Sequence, residues 1–232
     1  MLYKESMLYI QINMRFKVDL KIFLFVVIFY LTKQIQIYAF LMLFAFIHEL
    51  GHLLAGILLG MRPEKLEIMP LGISIAFKIL PKDYNYKIKY GNVFEIKKIL
   101  VALAGPLTNL IIIILAFQIN LEIISNMIII YCNLLLMIFN LLPIYPLDGG
   151  RILKSILHII FGKIKSEQLI NNISFVVLMI ITIFSSIIVY IAENIAVFWA
   201  VIFLWSIYIK EDLIYRRKKK IYNLVEKTIE IK

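Results

Sequence analysis

Two histidines four residues apart, with a glutamate after the first, form His48-Glu49-Leu50-Gly51-His52 inside the apolar run Tyr38 to Met61. On an α-helix, side chains at i and i+4 stack on one face with Cβ atoms about 5 to 6 Å apart, so both imidazoles reach one ion. Zinc suits them, because His nitrogen at about 2.0 to 2.1 Å in a tetrahedral site is its ordinary coordination. Glu49 faces the same region, with the chemistry of a general base toward a water whose pKa zinc lowers to about 7. An ionisable side chain at the centre of a membrane helix costs about 2.5 to 3.5 kcal/mol on insertion scales, so it persists where it has a partner or a task. Two of the chain's three histidines stand here. The plainer alternative is an incidental polar patch facing a neighbouring helix.

A catalytic zinc needs a third protein ligand and an open position. The extended motif of soluble proteases would place ligands farther along the same segment, where this chain has Ala55 and Leu58. Glu122 and Glu193 fall on the outer membrane face by the charge argument below, and His158 reads as an interfacial histidine in an amphipathic piece. Asp148, in Asn140-Leu-Leu-Pro-Ile-Tyr-Pro-Leu-Asp-Gly-Gly-Arg151, is the best third ligand; an Asp-Gly turn is the competing reading. Pro143 and Pro146 stop the preceding helix, and Gly149 with Gly150 allows close backbone approach. Non-helical, re-entrant-like backbone near the membrane is expected, tolerated where it lines a cavity or lies within protein.

These residues must be positioned by a bundle in lipid. The 232 residues are 62% hydrophobic, with a mean hydropathy of +0.90, far above ordinary soluble domains. An all-α polytopic membrane protein follows, with about six spans: Val18 to Thr32, Tyr38 to Met61, Ile99 to Ile119, Ile123 to Leu142, Ile173 to Ile191 and Ile195 to Ile209. With both termini cytoplasmic, the inner segments hold 24 of the 25 basic residues and leave Lys33 outside, as the positive-inside rule requires. The stretch Glu64 to Leu80 reads as a short hairpin at the membrane surface, with an irregular loop as the equal alternative, and Asp83 to Lys98 as a polar linker. Residues 1–209 form the membrane domain and 210–232 a basic tail lying on the anionic leaflet. The +10 net charge follows topology rather than an aromatic-interleaved groove, which sets nucleic acid aside as a partner. The lone Cys132 excludes an intramolecular disulfide, and no small-residue cleavage site follows the Ile22 to Leu31 core.

The HELGH segment, Gly105-Pro-Leu-Thr-Asn109 and the Asn140 to Arg151 stretch, in this order and spacing, together resemble the site-2 protease family of intramembrane zinc metalloproteases. The resemblance covers roughly Ile37 to Leu153 and implies that His48, His52 and Asp148 ligate one zinc ion with Glu49 as base. It further implies that Asn140 positions substrate and that Asn109 lies close to the active site in a similar role. Within the family the chain looks most like the stage IV sporulation branch, which processes a membrane-associated sigma-factor precursor. That likeness implies a bacterial cell membrane, that around the forespore included, and inhibitory membrane partners. Members of that branch commonly carry a C-terminal CBS domain linked to ATP sensing, whereas about twenty residues follow the last span here.

The expected activity is therefore hydrolysis of a peptide bond in a membrane-associated polypeptide near the cytoplasmic leaflet. A non-catalytic metal-binding protein that sequesters membrane partners is the alternative, and Glu49 argues against it, since holding a metal needs no base there. A transporter would spread ionisable groups through the full membrane depth, whereas these concentrate toward one face.

Overall fold

In lipid every backbone N–H and C=O must be satisfied within its own segment, and the apolar runs accordingly fold as helices. The computed structural model describes residues 15–18, 20–31, 33, 35–69, 72–78, 88–119, 125–192 and 195–230. The elements are β1 (Arg15–Val18), α1 (Lys21–Leu31), α2 (Ile35–Leu58), β2 (Arg62–Met69), β3 (Gly72–Lys78), α3 (Ile88–Gln118), α4 (Asn126–Asn140), α5 (Asp148–Phe161), α6 (Lys163–Ala192) and α7 (Ile195–Glu230). Among the described residues three stretches are long and apolar enough to cross a membrane: Ile35–Leu58, Val93–Gln118 and Lys163–Ile188. Helix α4 is apolar but shorter, and α1, at 11 residues, rises only about 16 Å.

The chain forms two compact units. The first comprises the described residues up to Gly91 together with Leu103–Met137; the second comprises Asn92–Ala102 and Ile138–Lys232. In the first, α2, α3 and α4 share a core of Phe44, Ala45, Ala116, Ile129, Cys132 and Leu136. Large apolar side chains such as Leu54, Phe117 and Met127 remain exposed on the outside of these helices, as a lipid-facing surface requires. The hairpin is present: β2 and β3 pair antiparallel, with Leu66 opposite Ile75. It gains a third strand, because β1 pairs parallel with β2 in the order β1-β2-β3. β3 packs on α2 at Gly56, where a Cβ would run into the Phe77 ring.

In the second unit, fully buried Ile144 packs with Leu178 of α6 and Leu204 of α7 and fixes the segment between α4 and α5. The Tyr145 N–H donates to Ser174 Oγ at 3.1 Å. Buried Glu95 accepts from Lys98 Nζ at 2.7 Å and pairs with His158 Nδ1 at 2.9 Å.

Four sequence expectations change. Residues 88–98, read as polar linker, are the opening turns of α3; the rest of that stretch lies outside the described residues. Val18 belongs to β1 rather than to the first span. Asp148, Gly149 and Gly150 are not turn or re-entrant coil but the first turn of α5, an amphipathic helix whose apolar face outweighs two glycines. The basic tail is no separate segment at its start: α7 runs unbroken through Lys210 to Glu230. Glu122 and Glu193 lie outside the described residues.

Candidate metal centre

Helix α2 carries His48, Glu49 and His52 over one turn, and all three are buried, His52 to 2% exposure. The i, i+4 spacing brings the two imidazoles edge to face, with ring centroids 4.7 Å apart. Their Nε2 atoms converge to 3.1 Å. Two nitrogens on one tetrahedral zinc would stand about 3.3 Å apart, so the pair is spaced as a shared ion requires.

Helix α3 crosses beside this turn, and two glycines permit it. A Cβ at Gly51 would collide with Thr108 Oγ1 and come to 3.0 Å from the Ala104 carbonyl oxygen. Thr108 in turn donates to that carbonyl at 2.8 Å. A Cβ at Gly105 would fall directly on the Nε2 atoms of His48 and His52. The space in front of the two nitrogens is therefore open only because position 105 has no side chain. That opening, with two convergent imidazole nitrogens, fits a zinc ion.

Each ring is also held from behind. Asn109, fully buried, places its Nδ2 3.1 Å from His48 Nδ1, while its Oδ1 has no hydrogen-bond partner. Amide orientation is an assignment rather than an observation, and the turned amide lets His48 Nδ1–H donate to Oδ1. That arrangement leaves the Nε2 lone pair free for a metal, as outer-shell partners of ligating histidines generally do. The Gly105 N–H donates to His52 Nδ1 at 3.3 Å. In the neutral ring this puts the proton on Nε2, so metal loading must displace it and give up this long bond. Pro106, inside α3, lacks the N–H that would bond the Ala102 carbonyl, yet the helix continues through Gln118.

In the second unit, Asp148 is the first residue of α5 and is buried. Arg151 Nη1 lies 3.7 Å from Asp148 Oδ1. A carboxylate at a helix N-terminus is favoured by the helix dipole, which supports the ionised form a ligand needs. The flanking glycines seat it: a Cβ at Gly149 would overlap the Leu141 carbonyl, and one at Gly150 the Ile144 carbonyl. Asn140 ends α4 and is half-buried. Sequence reasoning missed Asn133, a fully buried amide of α4 whose Nδ2 donates to the Ile129 carbonyl at 2.8 Å. Its signal was available, an amide in an otherwise apolar helix.

A metal-ligand pair buried on a membrane-length helix defines an integral membrane protein built to hold an ion. The comparisons narrow that class. The sequence profile of Peptidase family M50 matches residues 121–184. A zinc metalloprotease of Methanocaldococcus jannaschii is 34% identical over 146 residues, covering 58% of this chain and 38% of that one. Stage IV sporulation protein FB of Bacillus subtilis is 28% identical over 127 residues, covering 53% and 41%. Thus the chain spans about 40% of the length of these relatives. Among solved structures, the site-2 protease from Methanocaldococcus jannaschii superposes with a TM-score of 0.62 at 23% identity, over 85% of this chain and 90% of that one. Residues 121–184 thus match a segment of Peptidase family M50, and the chain shares the fold of that site-2 protease.

Proposed function

We propose that the chain is an intramembrane zinc endopeptidase in which His48, His52 and Asp148 hold one zinc ion and Glu49 is the general base. The observation that carries this reading is the buried pair of imidazole nitrogens 3.1 Å apart, with room kept before them by Gly105. Asp148, buried in the second unit, offers the third ligand type that zinc takes. The family adds the reaction class.

Zinc bound there would polarise the scissile carbonyl and lower the pKa of a bound water to about 7. The protein's own contribution is placement and proton handling. Glu49 accepts the proton of the attacking water and returns it to the leaving amine. Asn109 holds His48 in the tautomer that ligation needs. Asn140 positions the substrate backbone. The substrate unwinds locally, because helical carbonyls are occupied by internal hydrogen bonds.

The substrate in this reading is a membrane-associated polypeptide cut near the cytoplasmic leaflet. Six spans place both termini inside, and the exposed Arg216, Arg217, Lys219 and Lys220 of α7 lie against anionic headgroups. A sporulation sigma-factor precursor as substrate and inhibitory membrane partners are the finer form of this reading, supported by the 28% identity to stage IV sporulation protein FB. Reconstituting the full chain in liposomes with candidate precursors, beside Glu49→Gln, tests the proposal. Cleavage by wild type and loss with retained zinc in the variant is the expected result. Cleavage undiminished in Glu49→Gln overturns the mechanism. Zinc binding without cleavage of any precursor points to the sequestering alternative.

A further inference from the structure

Position 105 carries a glycine for a reason that helix geometry does not supply. Gly105 lies inside α3 with helical backbone, where alanine is the better helix former. Its neighbours are unusual as well. The three nearest atoms to a Cβ built there are His52 Nε2, His48 Nε2 and His52 Cε1, all imidazole atoms of α2. Gly51, on the opposite helix, behaves differently: its Cβ would meet the Thr108 side chain and the Ala104 backbone, an ordinary constraint on how closely two helices approach.

We infer that Gly105 is part of the metal site, a positioning residue whose missing side chain defines the ion's chamber and whose backbone forms its α3 wall. This rests on the proposed zinc site. A methyl group at 105 would stand well inside van der Waals contact of both Nε2 atoms and of His52 Cε1. The rings can make room only by losing the convergence of their Nε2 atoms, since Asn109 holds that of His48 from behind. Such a role makes two statements that a packing role does not. Substitution costs metal affinity by spoiling the convergence of the two Nε2 atoms, and it becomes harmless once the imidazoles are gone.

The experiment purifies the full chain in detergent as wild type, Gly105→Ala and the triple variant His48→Ala/His52→Ala/Gly105→Ala. Zinc affinity is titrated, the visible spectrum of the cobalt-loaded protein is recorded, and unfolding of the metal-free forms is followed. The expected result for Gly105→Ala is a loss in zinc affinity of about a hundredfold or more, the upper end of what lost outer-shell support costs. Its tetrahedral cobalt bands vanish, and any fall in its metal-free melting is absent when the triple variant is measured against His48→Ala/His52→Ala. Stoichiometric zinc with the wild-type cobalt spectrum in Gly105→Ala overturns the inference. If Gly105→Ala does not accumulate, the triple variant decides: recovery to the level of His48→Ala/His52→Ala supports the imidazole contact, and continued failure assigns Gly105 to helix packing and overturns it. Zinc absent from the wild type itself refutes the underlying metal site rather than this residue's part in it.

Discussion

Glycine does opposite work in the two units. Along α2 and α3 the missing Cβ makes room for side chains, those of Thr108 at Gly51, Phe77 at Gly56 and the imidazoles at Gly105. At the start of α5 it makes room for backbone, the Leu141 and Ile144 carbonyls. Side chains can turn aside, whereas a carbonyl fixed in a turn cannot. Changes around the histidine pair should therefore read out as lost chemistry, and changes around Gly149 and Gly150 as lost fold. Buried polar groups divide the same way. His48 is held by an amide suited to a ligand awaiting an ion, and His52 by a backbone N–H bond that metal loading gives up. Glu95 and Glu167 are instead paired with His158, Lys98 and Lys218, as structural carboxylates are.

The largest effect that sharpens this contrast is at Glu49. Glu49→Gln should cut cleavage by about a thousandfold, within the range of lost acid–base catalysis, with unchanged melting. Activity assays beside thermal unfolding check it, and a large fall in melting temperature would erase the distinction between chemistry and fold. Next comes Gly150→Ala, which forces a methyl against fixed backbone and should destabilise the protein by about 3 kcal/mol, measured by denaturant unfolding in detergent. A neutral outcome there would break the comparison from its other side. His158→Ala removes one partner of buried Glu95 while Lys98 remains, and should cost about 1 to 2 kcal/mol in the same measurement. Arg216→Ala loses an exposed pair with Asp212 and should change stability by less than about 0.5 kcal/mol.

Lys218 gives a pH test. Burial pushes its ammonium down, but the hydrogen bond and charge of Glu167, with Tyr145 and Tyr222, push it further up, and the net shift is above the ordinary 10.5. A raised pKa stabilises fully below the unfolded value and is lost as pH rises through the folded one. The melting difference between wild type and Lys218→Met should therefore stay constant with pH up to about 10 and shrink above it, which thermal unfolding across that range checks.

The histidine pair was legible because chemistry and periodicity coincide there: charged groups at helical spacing in an apolar run admit few explanations. The hairpin was legible for a local reason, Pro70 and Gly72 between alternating β-branched residues. Strand β1 was not, since its partner Lys65 stands fifty residues from Arg15 and no local pattern announces a parallel pairing. The start of α3 was hidden by its polarity, Glu95, Lys97 and Lys98 being read as linker, whereas the pairing of Glu95 with Lys98 and His158 supports a helix there. Asp148 was legible as the candidate third ligand, whereas its helical setting was not, because Gly149-Gly150 signals a break where close backbone approach in fact demands glycine. Gly105 carried no signal of its own; its meaning appears only once α2 lies alongside.

Metal analysis of the purified full chain, wild type beside Asp148→Asn, tests the central claim most directly. One zinc per wild-type chain, and a loss of about tenfold or more in affinity on Asp148→Asn, is the predicted result. Wild-type protein that takes up no zinc, or an Asp148→Asn variant that binds it as tightly, would contradict it.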